Sequence, residues 1–452
     1  MRQLFHFDLK PKGNYGDSVL FELVRHLFTG YSGRQEFLVT GSTNLRHAVG
    51  PRKIDWINAD FDAVVLGGGG LMLRSTNENR NSGWQWNMPL RHLEDLAVPL
   101  VVFGVGYNRF EGEPDFDPIF TEHLNATVEK SSFFGLRNHS SIEAVRRYLR
   151  PDLADRLSYQ PCPTPVASYL VPDLYVPDLE PEKRVGLQVT FEPRNELAGY
   201  SQAHIFSELL VVAKELSRLG YELDVIGHGM SDHSFHAFLA GNGVTARLVR
   251  LDGVNRGVFA GLEYYGRLPL TIGMRGHAQM IPFGMGNGII SVAARDKLRY
   301  FTRDIGRPEL AVDPRDGHWS GQVLDQVDAW FGDFTRSRAE FAVIRAQLWQ
   351  TTLDNLGRIG QTLTGAAITP EPFVPLSPFE RELALNTFTA SMRYDAEAER
   401  AARLRTELRD ARRELERTTA SLTQREELLA RGGLYIAYRN ARRRLARFRR
   451  DR

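Results

Sequence analysis

The amino-acid sequence predicts an α/β protein of two lobes, each built on a parallel β-sheet, followed by a helical coiled-coil tail. Short β-type runs alternate with amphipathic segments of helix length, which is typical of parallel α/β folds. The chain has 452 residues, too many for one ordinary hydrophobic core. From residue 401 onwards the apolar residues follow a 4-3 spacing, which is typical of a coiled coil.

The first lobe is predicted over residues 1–165. Its strands are expected at residues 4–9, 63–66, 99–103 and 132–136, and its helices at 18–28, 119–130 and 140–149. Each strand runs into glycine or polar residues. Because the carboxyl ends of parallel strands meet at one edge of a sheet, we expect the ligand to bind at that edge.

The second lobe is predicted over residues 166–366. Six prolines between residues 161 and 181 mark the boundary, after which the α/β pattern starts again. Strands are expected at residues 185–189, 222–226, 268–272 and 288–292, and helices at 203–219 and 336–357. Residues 367–400 are predicted to be a linker and a helix, because 367–378 contain four prolines.

The end of the chain is predicted to form a coiled coil over residues 401–430 and a basic tail over 431–452. The coiled coil suggests a homo-oligomer, although Ala411, Thr418 and Arg425 form one weak layer, so a single helix lying on the globular body is the alternative. The tail contains nine Arg and one Asp, a net charge of +8, and the other 430 residues therefore carry −6.

The tail also has apolar and aromatic side chains at residues 434–438, ahead of most of its arginines. That composition is suited to an anionic lipid interface, so we expect the tail to hold the protein on the inner membrane face. An RNA-binding tail and a solvated end are the alternatives, and the chain is otherwise predicted to have no nucleic-acid partner.

Composition is that of a globular protein, with 42% hydrophobic and 25% charged residues. No stretch approaches the ~18 apolar residues that a membrane span needs, and the first residues lack the apolar core of a signal peptide. The single cysteine, Cys162, excludes an intrachain disulfide and a multi-cysteine metal site. We therefore expect a cytoplasmic protein.

Two glycine-containing motifs follow predicted strands of the first lobe. Gly13, Asn14 and Asp17 belong to a GNYGD loop, where the glycines admit a close ligand and the following helix start offers N–H groups to an anion. An ordinary turn capped by Asp17 or Ser18 is the alternative. The second motif is a run of four glycines, predicted to leave a strand end open to substrate, or else to be a flexible turn; its candidate binding residues are Gly68, Gly69 and Gly70.

Cationic residues follow the strands of both lobes. Arg137 follows the fourth strand, where it is suited to a forked contact with a carboxylate or phosphate; a surface arginine beside an N-cap at Ser140 is the alternative. Arg275 and His277 stand two residues apart at the end of another strand, and Lys297 follows the next. The cations Arg275, Arg295, Lys297 and Arg299 all follow strands of the second lobe, as a site for a doubly anionic substrate requires. A histidine beside an arginine at a strand end favours a place for His277 in that site.

Several familiar sites are not predicted. The glycine run fits neither the phosphate-loop pattern nor G-x-G-x-x-G, which argues against a nucleotide fold of either kind. His228, His233 and His236 lie close in sequence but lack zinc-site spacing, so we predict no metal. No G-x-S-x-G nucleophile motif occurs.

The order of these motifs resembles the polysaccharide pyruvyl transferase family. The matching positions are residues 13–17, 67–70, 137–140, 275–278 and Lys297, and the resemblance extends over about residues 1–345. It implies two Rossmann-like lobes similar to glycosyltransferases of the B type, with the active site between them. It also implies phosphoenolpyruvate as donor, a glycan or lipid-linked saccharide as acceptor, and a pyruvate ketal as product.

The resemblance also implies roles for the site residues. Arg275 and Arg137 would make forked contacts with the donor's anionic groups, and Lys297 would supply a point charge. His277 would deliver a proton to the enol carbon or act as base, and Asp17 would orient an acceptor hydroxyl; neither a metal nor another cofactor is expected. The sequence departs from the family pattern in having Gly276 in place of a leucine, and Pro163-Thr164-Pro165 in place of Asp-Pro.

Two other functions remain open at this point. One is a nucleotide-sugar glycosyltransferase of similar two-lobed fold, although no acidic residue is convincingly placed for a ribose. The other is a non-catalytic scaffold that acts through the coiled coil.

Overall fold

The computed structural model describes residues 1–9, 14–74, 79–109, 112–252, 257–366, 368, 370–383, 407–408, 411–423, 427 and 432–444. These residues form two compact units, Met1–Thr387 and Phe388–Arg452. The first unit contains two parallel six-stranded sheets with helices around them, and the described parts of the second unit are helical. Within the described ranges, no helix combines the length and the apolar composition needed to span a membrane.

The first sheet has the strand order β2-β1-β3-β4-β5-β6, with every pair parallel. Its strands are β1 (Arg2–Asp8), β2 (Phe37–Asn44), β3 (Ala63–Met72), β4 (Leu100–Tyr107), β5 (Ser131–Leu136) and β6 (Leu157–Tyr159). The helices of this lobe are α1 (Tyr15–Gly30), α2 (Pro51–Asp60), α3 (Leu90–Glu94), α4 (Pro118–Lys130) and α5 (His139–Arg146). The chain reverses direction across the sheet between β1 and β3, which places a ligand-binding crevice at their carboxyl ends.

The second sheet has the order β12-β11-β10-β7-β8-β9 and is also parallel throughout. Its strands are β7 (Arg184–Gln188), β8 (Glu222–Gly227), β9 (Arg247–Arg250), β10 (Leu270–Gly273), β11 (Gly288–Val292) and β12 (Ala311–Val312). The helices from the lobe boundary onwards are α6 (Ala167–Leu170), α7 (Pro193–Leu197), α8 (Gln202–Arg218), α9 (His233–Gly241), α10 (Val258–Gly266), α11 (His277–Gly284), α12 (Asp296–Asp304), α13 (Trp319–Gly332) and α14 (Phe334–Thr364).

The core explains why the central strands read as continuous apolar runs. Ala63 and Val65 of β3 face one hydrophobic cluster, whereas Val64 and Leu66 face a second cluster on the other side of the sheet. Both faces of the strand are therefore buried, as in other parallel sheets covered by helices. The first cluster continues without interruption from α1 into the second lobe, so the two lobes share one core.

The predicted linker returns to the first lobe. Val374 N–H donates to the Gly30 carbonyl, and Leu376 N–H donates to the Leu170 carbonyl, both at 2.9 Å. At the next turn, Arg381 pairs with Asp173 at 2.6 Å. Residues 370–377 are therefore an ordered strap across the lobe boundary, held by backbone hydrogen bonds that composition cannot indicate.

The predicted fold class is confirmed, with differences at particular elements. The four glycines at residues 67–70 lie inside β3 instead of following it, because the strand continues to Met72. Asn138, and not Ser140, caps α5, since its side chain accepts from the Ser141 N–H. The boundary predicted at residue 165 falls between β6 and β7.

Candidate active site

A cavity of about 240 Å³ lies where the carboxyl ends of the two sheets face each other. Its wall is built by residues that follow strands in both lobes. From the first lobe come Asn14, Asp17, Arg46, Gly70, Asn108 and Arg137, and from the second Glu192, Arg194, His228, Arg275, His277, Arg295 and Lys297. These described residues supply six cationic side chains and two carboxylates, so the cavity is suited to an anion.

His277 begins α11 and reaches across to the first lobe. A side chain at Gly16 would place its Cβ 2.4 Å from the His277 ring, so only glycine lets the ring lie against the start of α1. Nδ1 of His277 lies 3.6 Å from Oδ1 of Asp17, and Nε2 lies 3.9 Å from Sγ of Cys162. The histidine is thus held between the GNYGD segment and the lobe boundary.

The surroundings of His277 and Asp17 shift the pKa values of both side chains. Burial lowers the pKa of His277 well below its ordinary value, and the neighbouring Arg137 and Lys297 lower it further. The imidazole is therefore neutral in the ligand-free protein. Burial raises the pKa of Asp17 although four cations oppose the shift, and Asn14 Nδ2 donates to its Oδ2 at 2.7 Å.

Arg137 is buried at the carboxyl end of β5 with 7% of its surface exposed. Its side chain crosses Gly106, where a Cβ would lie 2.1 Å from Nε. Nε and Nη2 are buried and have no hydrogen-bond partner among the described residues. Because a buried donor without a partner is costly, this guanidinium is suited to an additional acceptor such as an anion in the cavity.

Lys297 lies in the first turn of α12, on the other side of the cavity. Its ammonium makes no hydrogen bond or ion pair with any residue that the structure describes. Burial lowers the pKa of Lys297 well below its ordinary value, and Arg295 and Arg137 add to the shift. An anion placed between Lys297 and Arg137 would remove the repulsion that both groups feel.

Arg275 lines the same cavity, but the protein itself occupies part of its fork. Nε donates to Asp232 Oδ2 at 2.9 Å, and Nη2 donates to Oδ1 at 2.6 Å. Nη2 also bonds Thr190 Oγ1 at 3.0 Å, and Nη1 lies 3.9 Å from Glu192. The forked substrate contact expected of Arg275 therefore competes with Asp232, whereas Arg137 has no such competitor among the described residues.

Asp232 is one of two acidic residues near the cavity that the sequence did not single out as site residues. It is fully buried and accepts from the backbone N–H groups of His228 and Gly229 as well as from Arg275. Burial raises the pKa of Asp232, but Arg275 outweighs that effect and the net shift is downwards. Its sequence signal was its place five residues after β8, the same strand-end position that singled out the cationic motifs.

Glu192 is a second residue that the sequence did not single out. Its Oε1 lies 3.0 Å from Arg295 Nη2. Burial alone would raise its pKa, but Arg295, Arg275 and Lys297 together hold the pKa of Glu192 below its ordinary value. The cavity therefore keeps an ionised carboxylate on the side of the second lobe.

The predicted glycines have different roles. Gly70 lines the cavity, and a Cβ there would lie 3.2 Å from Arg137 Nη2. A Cβ at Gly68 would lie 2.6 Å from Cγ of Leu20 in α1, and a Cβ at Gly69 would lie 3.5 Å from Cδ2 of the same leucine. The lack of a side chain at Gly68 therefore serves the packing of α1. Gly13 lies outside the described residues.

Comparison with protein-family models assigns the chain to a family. The family model named polysaccharide pyruvyl transferase matches residues 14–286, more than half of the sequence. The chain belongs to the polysaccharide pyruvyl transferase family. The matched region contains Asp17, Arg137, Arg275 and His277, and it ends before Lys297.

Solved structures give the fold of this pyruvyl transferase family member. Staphylococcus aureus MnaA, in a co-structure with UDP, matches with a TM-score of 0.52 and 11% identity, covering 83% of this chain and 100% of that chain. A Listeria monocytogenes protein proposed to be a UDP-N-acetylglucosamine 2-epimerase matches with a TM-score of 0.50 and 12% identity, covering 82% and 99%. Both show the glycosyltransferase-B-like fold alone. A comparison with curated proteins gave no match.

Proposed function

We propose that this protein transfers pyruvate from phosphoenolpyruvate to a sugar of a glycan, as a ketal. The observation that carries the proposal is Arg137, whose buried Nε and Nη2 have no partner among the described residues and which shares the cavity with an unpaired Lys297. Phosphoenolpyruvate combines a carboxylate and a phosphate in a small molecule. Two cations on opposite walls match these two groups.

The donor is bound mainly by Arg137 and Lys297, which form no ion pair with any carboxylate among the described residues. Nε and Nη2 of Arg137 form one edge of the guanidinium fork and take two oxygens of one anionic group. Lys297 takes an oxygen of the other group, and Arg275, fixed by Asp232, presents Nη1 beside Glu192. No part of this arrangement calls for a metal ligand.

His277 is the proposed proton donor, and donor binding sets its protonation state. Burial, Arg137 and Lys297 suppress its charge in the ligand-free protein, and an anion between the two cations cancels their part of the effect. The imidazole then takes up a proton and delivers it to C3 of the enol. Asp17, whose Oδ1 lies 3.6 Å from Nδ1 of His277, orients the ring.

The remaining steps require neither an oxidant nor a reductant. Protonation at C3 leaves an oxocarbenium-like C2, which a first sugar hydroxyl attacks while its proton passes to His277. The C2–O bond to phosphate then breaks, and a second hydroxyl attacks C2. Inorganic phosphate leaves with the proton of the second hydroxyl, which leaves a six-atom or five-atom ketal ring on the sugar.

The test uses ligand-dependent thermal stabilisation and calorimetry of the full-length protein. Phosphoenolpyruvate should stabilise it, whereas UDP, the ligand in the MnaA structure, should not. Arg137→Ala should weaken phosphoenolpyruvate binding by roughly 100-fold, because a charge-assisted pair is lost. Arg218→Ala is the matched control, since Arg218 is exposed and pairs with Glu215 on α8.

Stabilisation by UDP but not by phosphoenolpyruvate would instead favour the nucleotide-sugar glycosyltransferase. Release of inorganic phosphate from phosphoenolpyruvate, dependent on an added glycan, then establishes the transfer itself.

A further inference from the structure

His228 is a buried histidine in the cavity wall to which the proposed reaction gives no role so far. It follows β8, has no exposed surface, and lines the cavity beside Arg275 and His277. Its backbone is fixed on both sides, since its N–H donates to Asp232 and its carbonyl accepts from the Tyr15 N–H of α1. The backbone of His228 is therefore held by both lobes.

The two ring nitrogens of His228 have unlike surroundings. Nε2 lies 2.6 Å from the hydroxyl of Tyr265, which is fully buried in α10. Nδ1 is buried and has no partner among the described residues. A buried nitrogen without a partner, on a residue that lines the cavity, is available for a hydrogen bond with a ligand.

Tyr265 decides which nitrogen carries the proton. Burial raises the pKa of Tyr265 well above its ordinary value, so the phenol keeps its hydrogen. Within the described part of the chain, the only partner of that hydroxyl is Nε2 of His228. The phenol therefore donates to Nε2, and the hydrogen of the neutral imidazole must be on Nδ1.

The imidazole of His228 is also neutral in the ligand-free protein. Burial, helped by Arg275, lowers the pKa of His228 to about 3 although Asp232 opposes the shift. A neutral donor has an advantage beside His277, because another cation there would oppose the protonation of His277 that catalysis requires.

We propose that His228 is a further donor-binding residue, whose Nδ1–H, fixed by Tyr265, donates a hydrogen bond to an anionic oxygen of phosphoenolpyruvate. The inference rests on the proposed function and adds to the cationic contacts a neutral one from the second lobe. Tyr265 is then a positioning residue, acting only through the tautomer of His228.

The experiment compares His228→Phe, which keeps a ring but has no donor, with His228→Asn, whose amide can donate from the Nδ1 position. Calorimetry of the full-length protein should show phosphoenolpyruvate binding about tenfold weaker in His228→Phe and within about threefold of wild type in His228→Asn. His236→Asn is the control, because His236 bonds the Ala246 carbonyl and is not among the residues of the cavity wall.

Tyr265→Phe gives an independent reading if His228→Phe does not fold. This variant keeps His228 but removes the hydroxyl that fixes its tautomer, so the dissociation constant for phosphoenolpyruvate should rise about two- to fivefold. Dissociation constants equal to wild type in His228→Phe or Tyr265→Phe, or equal losses in His228→Phe and His228→Asn, overturn the inference while the proposed function stands. If the wild-type protein itself binds no phosphoenolpyruvate, both are overturned.

Discussion

The proposed proton transfer depends on one side chain, that of His277, which lies against the start of α1. Replacing His277 by Gln should lower the turnover number by roughly 10²- to 10⁴-fold, the range for loss of a general acid or base. The midpoint of thermal unfolding should change little, because the ring lies in a cavity wall that already holds unpaired polar groups. Phosphate release and thermal melting measure the two effects.

His204→Gln provides the comparison, since His204 lies half-buried at the start of α8, outside the residues of the cavity wall. Loss of folding in His277→Gln would show that the histidine serves the core instead of catalysis.

The suppressed charge of His277 leads to a second prediction at the same residue. Its pKa in the free protein is well below the ordinary value, and an anion between Arg137 and Lys297 raises it. Phosphoenolpyruvate binding should therefore take up a proton, and affinity should rise as pH falls through the pKa of the complex. Calorimetry in two buffers of different ionisation enthalpy measures this uptake.

The uptake should be reduced in His277→Gln, which keeps Arg137 and Lys297. An undiminished uptake in that variant would assign the proton to another group, such as Asp17 or the phosphate of the donor.

At the scale of elements, the strands that the sequence predicted and the strands that it missed occupy different places in the sheets. The sequence predicted β1, β3, β4, β5, β7, β8, β10 and β11, which are the eight central strands, with boundaries shifted by a few residues. It missed β2, β6, β9 and β12, which are the four edges. A central parallel strand is buried on both faces and reads as an apolar run, whereas an edge strand such as β9, with the sequence RLVR, carries polar residues.

The helix at residues 432–444 carries the proposed membrane attachment. Leu434, Ile436 and Tyr438 are 70%, 55% and 63% exposed, and three consecutive arginines follow at 442–444. Apolar side chains beside arginines are suited to an anionic lipid surface, at about 1 kcal/mol for each arginine. The protein should therefore co-sediment with vesicles containing phosphatidylglycerol, and less so as salt increases.

Deletion of residues 431–452 should abolish this binding, and replacing Leu434 and Ile436 by Ser should weaken it at unchanged charge. Equal recovery with neutral and anionic vesicles would contradict the prediction, and competition by RNA at equal affinity would favour the alternative partner.

The helix at residues 411–423 carries the proposed self-association. Leu408, Leu415 and Leu422 occur at seven-residue intervals, and all three are more than half exposed. Parts of the predicted coiled coil, including Ala401, Leu404 and Arg425, lie outside the described residues. A heptad stripe of leucine is matched best by the same stripe on a second copy.

Light scattering should therefore give a dimer or larger oligomer for the full chain. Leu415→Glu with Leu422→Glu should give a monomer, whereas Thr419→Glu, on another face of the same helix, should not. A monomeric wild-type protein would remove the basis for the prediction.

At the scale of the whole molecule, buried histidines make stability depend on pH. Burial lowers the pKa of His26 and His123 to about 4 and that of His228 to about 3. The unfolded chain protonates these side chains below about pH 6.5, and the folded chain does not, so acid favours unfolding. Burial raises the pKa of Asp304 to about 7, which acts in the opposite direction.

His277 acts in the same direction as these three histidines and Asp17 in the same direction as Asp304, so four groups against two leave a net difference of about two protons. The free energy of unfolding should then fall by about 3 kcal/mol per pH unit between pH 6 and pH 5, an order-of-magnitude figure. Urea unfolding at both pH values measures it. His123→Phe should reduce this slope, and a free energy that does not change with pH would show that these histidines are hydrated.

The amino-acid sequence by itself determined the two α/β lobes, the central strands and the cationic groups at strand ends, because burial on both faces and strand-to-helix junctions leave local patterns. It also brought Asp17, Arg137, His277 and Lys297 into one site through the order of motifs. Only the tertiary structure decided that Gly106 accommodates Arg137 and that Gly68 receives Leu20. It alone showed that Asp232 occupies the fork of Arg275 and that Tyr265 sets the tautomer of His228. These contacts join residues that are far apart in the chain. They depend on how one side chain fits against another once the lobes have packed, and no local sequence pattern records that fit.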